Sequence, residues 1–208
     1  MRVPMLIDIS PMISPKTAVW PGDTPFSQRF LCRIEDGANI DLSTINTTVH
    51  LGAHCDAPSH YREGLPSIEE RSLNLYYGPC QVMTVEVPLG HRIYPADLPA
   101  SLTAPRLLLH TKSFPDPNHF NEDFNALSPE LIAFAHEQGV QLIGLDTPSV
   151  DPFSSKTLES HQAIADRDMA VLEGVVLLGV ADGLYTLMAF PLKIQGADAS
   201  PVRAVLLA

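Results

Sequence analysis

Apolar and polar positions in this chain alternate in short runs broken by turn residues, a pattern of many strands and few helices. Residues 5–9 predict a first strand that ends at Ser10-Pro11, and Pro15, Pro21, Gly22 and Pro25 then punctuate the chain too often for regular structure. Residues 30–34 and 41–49 predict paired strands around Asp36-Gly37; 62–72 reads as polar and irregular, and the valine-rich run 80–87 as a buried strand. A short helix over 94–98, a strand over 106–110 and a loop over 113–125 follow. Ser128-Pro129-Glu130 opens a helix, with Ser as N-cap and Pro at the first helical position. Leu131, Ile132, Phe134 and Ala135 continue it at helical spacing, and Gly139 ends it. The pattern then predicts a strand over 141–145, a helix over 156–166 capped by Ser154 or Ser155, and closing strands over 175–180, 184–190 and 202–207. No repeat, low-complexity tract or linker divides the chain, so residues 1–208 read as one domain of mixed α/β class. Pattern alone leaves open sheet and barrel undecided.

Composition narrows the function classes. A formal charge of −11 argues against nucleic acid, which needs clustered Lys and Arg against its phosphates. No run of ~18 apolar residues is available to span a membrane, and one arginine before a short apolar run makes no secretory signal. Cys32, Cys55 and Cys80 are odd in number and widely spaced, which fits no disulfide framework and points to a reducing, cytoplasmic home.

Chemistry concentrates in residues 50–61, His-Leu-Gly-Ala-His-Cys-Asp-Ala-Pro-Ser-His-Tyr. His50, His54, Asp56 and His60 all fall on one parity, so an extended chain puts them on one face. A straight strand still separates His50 from His54 by ~13 Å, whereas imidazoles must come within about 2.1 Å of a shared zinc. The backbone therefore has to fold back between them, and Gly52 is placed to allow it. A helix would pair His50 with His54 but turn Asp56 away, and Pro58 would interrupt it. The β-branched Thr47-Thr48-Val49 favours a strand, a sharp bend, then a short extended piece carrying His54 and Asp56. Cys55, a good zinc ligand by chemistry, has the opposite parity and reads as a packed thiol.

Farther along, Glu173 sits in the apolar stretch 170–178, where a carboxylate is costly to bury unless paired or coordinated. A salt bridge with Arg167 or Lys193 is the alternative. His161, in the helically patterned 158–164, reads by itself as solvent-facing; His91 and His119 read as surface residues. Trp20, the only tryptophan, lies in a proline-rich loop where burial in a core is awkward. The chain has no Gly-x-Ser-x-Gly, so the serine-hydrolase route is closed.

Residues 50–61 match the signature His-x-Gly-Thr/Ala-His-x-Asp-x-Pro-x-His-Phe/Tyr throughout. Trp20-Pro21-Gly22-Asp23-Thr24-Pro25, Asp146-Thr147-Pro148-Ser149-Val150-Asp151, Leu172-Glu173-Gly174-Val175 and Asp198-Ala199-Ser200-Pro201-Val202-Arg203-Ala204-Val205 extend the match over nearly the whole chain. On these motifs the chain resembles the bacterial kynurenine formamidases, metal-dependent arylformamidases of the cyclase-like superfamily. The resemblance implies the swivelling β/β/α fold, a curved mixed β-sheet or barrel flanked by helices. It implies a binuclear site for two zinc ions, with manganese or another divalent metal as the alternative, held by His50, His54, Asp56, His161 and Glu173. Asp56, and Glu173 with it, would then bridge the two ions.

It further implies His60 as the catalytic acid and base, with a metal ligand as its competing role, and Trp20 as a wall of the substrate pocket. The expected reaction is hydrolysis of N-formyl-L-kynurenine to L-kynurenine and formate by a metal-activated hydroxide, in a homodimer acting on a small aromatic formamide. Two rivals remain: another amide hydrolase of the superfamily, such as an isatin-type cyclic amide hydrolase, and a non-catalytic metal-binding module. Ala53 stands where threonine is commoner, which removes no ligand but leaves the surrounding hydrogen bonds open.

Overall fold

The computed structural model describes residues 5–208. Along the chain run β1 (Leu6–Asp8), β2 (Ser27–Cys32), β3 (Leu42–Asn46), β4 (His54–Asp56), β5 (Tyr77–Thr84), β6 (Arg92–Ile93), β7 (Arg106–His110) and β8 (Ala126–Leu127). Helix α1 (Pro129–Glu137), β9 (Leu142–Leu145), helix α2 (Glu159–Ala165), β10 (Ala170–Leu172), β11 (Gly183–Met188), β12 (Ala199–Pro201) and β13 (Val205–Leu207) complete it.

Seven strands form one curled mixed sheet in the order β1-β13-β11-β5-β7-β9-β10. β5, β7, β9 and β10 are mutually parallel, while β1, β13, β11 and β5 pair antiparallel. Leu107-Leu108-Leu109 and Leu142-Ile143 are apolar at consecutive positions because the sheet is covered on both faces. Cys80, Val82, Leu108, Leu142, Leu172, Leu187 and Leu206 point to one side, where Ala53 and Cys55 of the ligand segment pack. Met83, Leu107, Leu109, Ile143 and Val171 point to the other, against Leu131, Ile132 and Ala135 of α1 and Ile164 of α2. The curved mixed sheet with flanking helices is the expected fold.

Helix α1 starts and stops as its sequence dictates: the Ser128 hydroxyl accepts from Leu131 N–H, Pro129 follows, and Gly139 turns the chain with φ +87°. Elsewhere local pattern misled. Helix α2 begins at Glu159 rather than 156, entered through Leu158 at φ +51°, and neither Ser154 nor Ser155 caps it. Ser155 Oγ instead accepts from Leu158 N–H and donates to Glu159, bracing the turn before the helix. The apolar run 175–180 forms no strand; the pairing segment is β10, which ends just before Glu173. Gly174, at φ +65°, turns the chain out of the sheet, and Val175 and Leu177 are buried as coil.

Two further observations matter for function. The C-terminal ends of the parallel strands β7, β9 and β10 lead directly into Thr111, Asp146 and Glu173, so one edge of the sheet gathers polar side chains. Among the described residues the ribbon of β2 and β3 pairs only with itself, and nearly every residue in it is exposed.

Candidate metal centre

Why the ligand segment takes its shape is visible in its backbone. Gly52 holds φ +58° and makes the bend expected between His50 and His54. Gly174 is pressed against it: an added Cβ at 174 would lie 2.2 Å from Gly52 O, so that position needs glycine, while a Cβ at Gly52 would meet Pro11 Cγ at 3.0 Å. Beyond the bend β4 is clamped from two sides. His54 N–H donates to Glu173 O (3.1 Å) and Glu173 N–H donates to His54 O (2.9 Å), while Asp56, Cys55 and His54 pair with Ala199, Ser200 and Pro201. Alternation along β4 turns His54 and Asp56 toward the sheet edge and Cys55 into the core, where burial pushes its thiol well above the ordinary range. Cys55 is a packed thiol, as its parity predicts.

His161 arrives on α2 and is buried rather than solvent-facing. Its N–H donates to Asp151 Oδ2, and its Nδ1 lies 2.9 Å from the same oxygen. Asp151 is itself held by Arg92 and Ser160 N–H. Burial raises the Asp151 carboxyl, but these hydrogen bonds outweigh it and bring it down to about 2. Glu173 pairs with neither Arg167 nor Lys193; it faces His54 and His161, and its Oε1 accepts from Val150 N–H (2.7 Å).

The distances between donor atoms carry the chemical reading. His54 Nε2 is 3.4 Å from Asp56 Oδ1 and 3.3 Å from Glu173 Oε2. On the other side His161 Nε2 is 3.4 Å from Asp56 Oδ2 and 3.5 Å from Glu173 Oε1. Each carboxylate thus turns one oxygen to each histidine. Charge-assisted hydrogen bonds are shorter, about 2.7–2.9 Å, whereas donors ~2.0–2.1 Å from one tetrahedral ion stand roughly 3.3–3.4 Å from each other. Asp56 Oδ1 and His161 Nε2 are buried and have no hydrogen-bond partner among the described residues, a costly state unless a cation satisfies them. His50 Nδ1 lies 2.9 Å from Asp56 Oδ1, but not in line for a hydrogen bond. His50, His54 and Asp56 form one group of mutually close donors, and Asp56, His161 and Glu173 form another. Imidazole and carboxylate donors without thiolate suit a divalent cation.

The remaining imidazole nitrogens are each tied down. His50 Nε2 meets Asp198 Oδ2 at 3.0 Å, His54 Nδ1 donates to Gly52 O at 2.9 Å, and His161 Nδ1 meets Asp151. This is how metal-binding histidines are oriented and made more basic. Burial pushes all three toward neutrality, yet the surrounding carboxylates win: His50 rises to about 9, and His54 and His161 also rise. Asp56 and Glu173 are held below the ordinary carboxylate range against the opposing effect of burial, Asp56 by His161 and His50, and Glu173 by His161 and His54.

His60 follows in a one-turn helix over Pro58–His60, displaced from the clamped strand by Pro58. Its Nδ1 lies 3.1 Å from Asp198 Oδ2, and its ring is 4.2 Å from that of His50. Unlike His54 and His161 its side chain is partly open, 34% exposed against 4% for each of those. It also stands close enough to His50 and Asp198 to share a cation, so both expected roles are geometrically available.

The donors form the floor of a cavity of about 820 Å³. Trp20 is half-buried in its wall, against Phe153 (5.1 Å between ring centroids) and Phe120 (5.5 Å). The five expected ligands, His60 and Trp20 are therefore gathered at one place. The roles of Asp151 and Asp198 were not legible: both stood in recognised motifs, but nothing local says that they grip imidazoles ten and about 140–150 residues away in sequence. His91 and His119 are exposed, as expected.

Comparison with known proteins agrees with this geometry. The family model Cyclase matches residues 7–152, more than half of the chain. The chain is 45% identical over 203 residues to the kynurenine formamidase of Bordetella petrii, covering 97% of each protein. Among solved structures it is similar to a potential metal-dependent hydrolase with cyclase activity (TM-score 0.84, 23% identity, 99% of this chain and 98% of that one). It is also similar to isatin hydrolase A from Labrenzia aggregata (TM-score 0.78, 19% identity, 99% and 94%). At those identities the structures speak for the fold, while the family rests on the model and the 45% identical relative. The chain belongs to the Cyclase family.

Proposed function

We propose that residues 1–208 form a single metal-dependent hydrolase domain that cleaves N-formyl-L-kynurenine to L-kynurenine and formate. The observation that carries it is the pair of carboxylates, Asp56 and Glu173, each spanning His54 and His161 at ligand spacing on the floor of an aromatic-walled cavity. His50, His54, Asp56, His161 and Glu173 would hold two divalent ions, and zinc or manganese suits such a donor set. Bound there, such ions lower the pKa of a coordinated water and polarise a carbonyl.

The chain's own residues do the rest. Trp20, Phe120 and Phe153 offer ring faces and edges to the substrate's aniline ring and exclude water around it. That fixes the ortho formamide over the donor cluster. Asp198 accepts the Nδ1 proton of His60, which leaves Nε2 as the nitrogen that exchanges protons with the reacting groups. His60 hands a proton to the departing nitrogen, because an arylamine anion is too basic to leave unaided. Trp20→Ala should raise KM about tenfold with a smaller effect on kcat, from the loss of roughly 1.5 kcal/mol of aromatic contact. Steady-state kinetics with N-formyl-L-kynurenine checks this; an unchanged KM removes Trp20 from the pocket's function.

Turnover of N-formyl-L-kynurenine and isatin, measured side by side, tests the reaction itself. Preference for the formamide by orders of magnitude supports it, and preference for isatin transfers the chain to the cyclic amide hydrolases, one of which shares its fold. A purely structural metal module is disfavoured by the cavity that opens onto the donors.

A cytoplasmic homodimer completes the proposal. All three thiols are unpaired, as a reducing compartment leaves them. Isolated two-stranded ribbons are marginal in water, and the β2–β3 ribbon exposes Leu31, Leu42 and Ile45, a surface that a second copy would cover. Sedimentation should give the mass of two chains; a monomer at micromolar concentration refutes this part.

A further inference from the structure

Beyond the formamide end, the cavity rim carries two charges that the metal chemistry does not use. Lys156 lines the cavity, is exposed, and has no hydrogen bond or ion pair among the described residues. The other cavity lysine, Lys112, is paired with Glu86 (3.0 Å). Asp23 also lines the cavity, and among the described residues its carboxylate meets only the Thr24 N–H (2.6 Å). The cavity carboxylates Asp56 and Glu173 face the histidines, and Asp146 is taken up by the Thr111 and Lys112 backbone N–H groups. Among the described residues that line the cavity, Lys156 is therefore the lysine, and Asp23 the carboxylate, that no ion pair takes up.

Their placement is tied to the aromatic wall. Asp23 lies three residues after Trp20 and Lys156 three residues after Phe153, on two loops that meet through the Trp20–Phe153 ring contact. A ring held there with its formamide over the metal ligands directs its ortho acyl chain back toward the rim. The geometry points to a subsite for an α-amino acid group: Lys156 pairs with the substrate's α-carboxylate and Asp23 with its α-ammonium. This rests on the formamidase reading and adds to it the feature that separates an amino-acid substrate from a simple aryl formamide. In a chain of formal charge −11, an unneutralised lysine at the cavity mouth is the group that would admit a carboxylate.

Three formamides separate the possibilities: N-formyl-L-kynurenine, its deamino analogue that keeps the carboxylate, and ortho-formamidoacetophenone, which has neither charge. In Lys156→Met, the kcat/KM ratio of N-formyl-L-kynurenine to ortho-formamidoacetophenone should fall about tenfold, the scale of one solvent-accessible charge-assisted contact. Lys156→Arg should restore most of it. In Asp23→Asn, the ratio of N-formyl-L-kynurenine to the deamino analogue should fall similarly. A wild-type enzyme that treats all three alike, or a Lys156→Met ratio equal to wild type, overturns the subsite while leaving formamide hydrolysis standing. A wild-type enzyme that cleaves none of them overturns both.

Discussion

Asp56→Asn should empty the metal centre and lower formate release from N-formyl-L-kynurenine by at least ~10³-fold. The side chain is fully buried, turns one oxygen to His54 and the other to His161, and lies beside His50. Asparagine keeps the shape but replaces one of those oxygens with an NH₂ group, which cannot coordinate a cation and presents protons where a lone pair is needed. Losing several kcal/mol of transition-state stabilisation from the metal, at about 1.36 kcal/mol per tenfold, gives the expected scale. Removing one partner of a buried charged cluster also destabilises the fold, by about 3 kcal/mol. Circular dichroism at low temperature should therefore accompany the metal count. Folded protein without metal and without turnover is the predicted result. Folded Asp56→Asn protein that keeps its metal and most of its rate removes Asp56 from the ligand set, and Glu173→Gln gives an independent check on the opposite carboxylate.

His60→Ala should behave differently: metal content unchanged, turnover down by about 10²–10⁴-fold, the usual worth of a positioned acid or base. The motivating contrast is exposure, since His60 is partly open to the cavity and bonded through Nδ1 to Asp198, whereas His54 and His161 are closed in among carboxylates. If its task is to protonate the departing amine, the loss should shrink for formanilides whose ring substituents make the arylamine a better leaving group. A uniform loss across leaving groups removes that task. Loss of metal from the variant makes His60 a ligand, with His50 and Asp198 as its companions.

What the sequence made legible, and what it hid, follows from how local each cause is. The ligand segment could be read because its parity, Gly52 and Pro58 all act within a dozen residues, and the structure has the bend, the short strand and the core-facing Cys55 in place. Helix α1 was legible for the same reason, through Ser128, Pro129 and Gly139. β10 was not: only three residues pair, and the more apolar run after Gly174 looks the better strand. Val175, Leu177 and Val180 are buried by packing under the sheet while Leu178 is exposed, and hydropathy cannot distinguish such packing from strand pairing. The start of α2 was hidden because Leu158 takes a left-handed conformation that no local residue preference announces. Asp198 lies 148 residues from His50, and Asp151 reaches His161 across the turn that precedes α2, so both grips are products of tertiary folding. Glu173 was readable as an anomaly in an apolar run, but only the resemblance grouped it with the histidines; local sequence left a salt bridge with Arg167 or Lys193 equally open, and the structure puts His54 and His161 beside it.

The most direct test of the whole is formate release from N-formyl-L-kynurenine before and after chelation, with metal quantified per chain in the same samples. The expected result is close to two divalent ions per chain, activity that falls in proportion as they are removed, and recovery when zinc or manganese is returned. Undiminished activity in chain stripped of metal contradicts the role of His50, His54, Asp56, His161 and Glu173 as ligands of a catalytic metal pair.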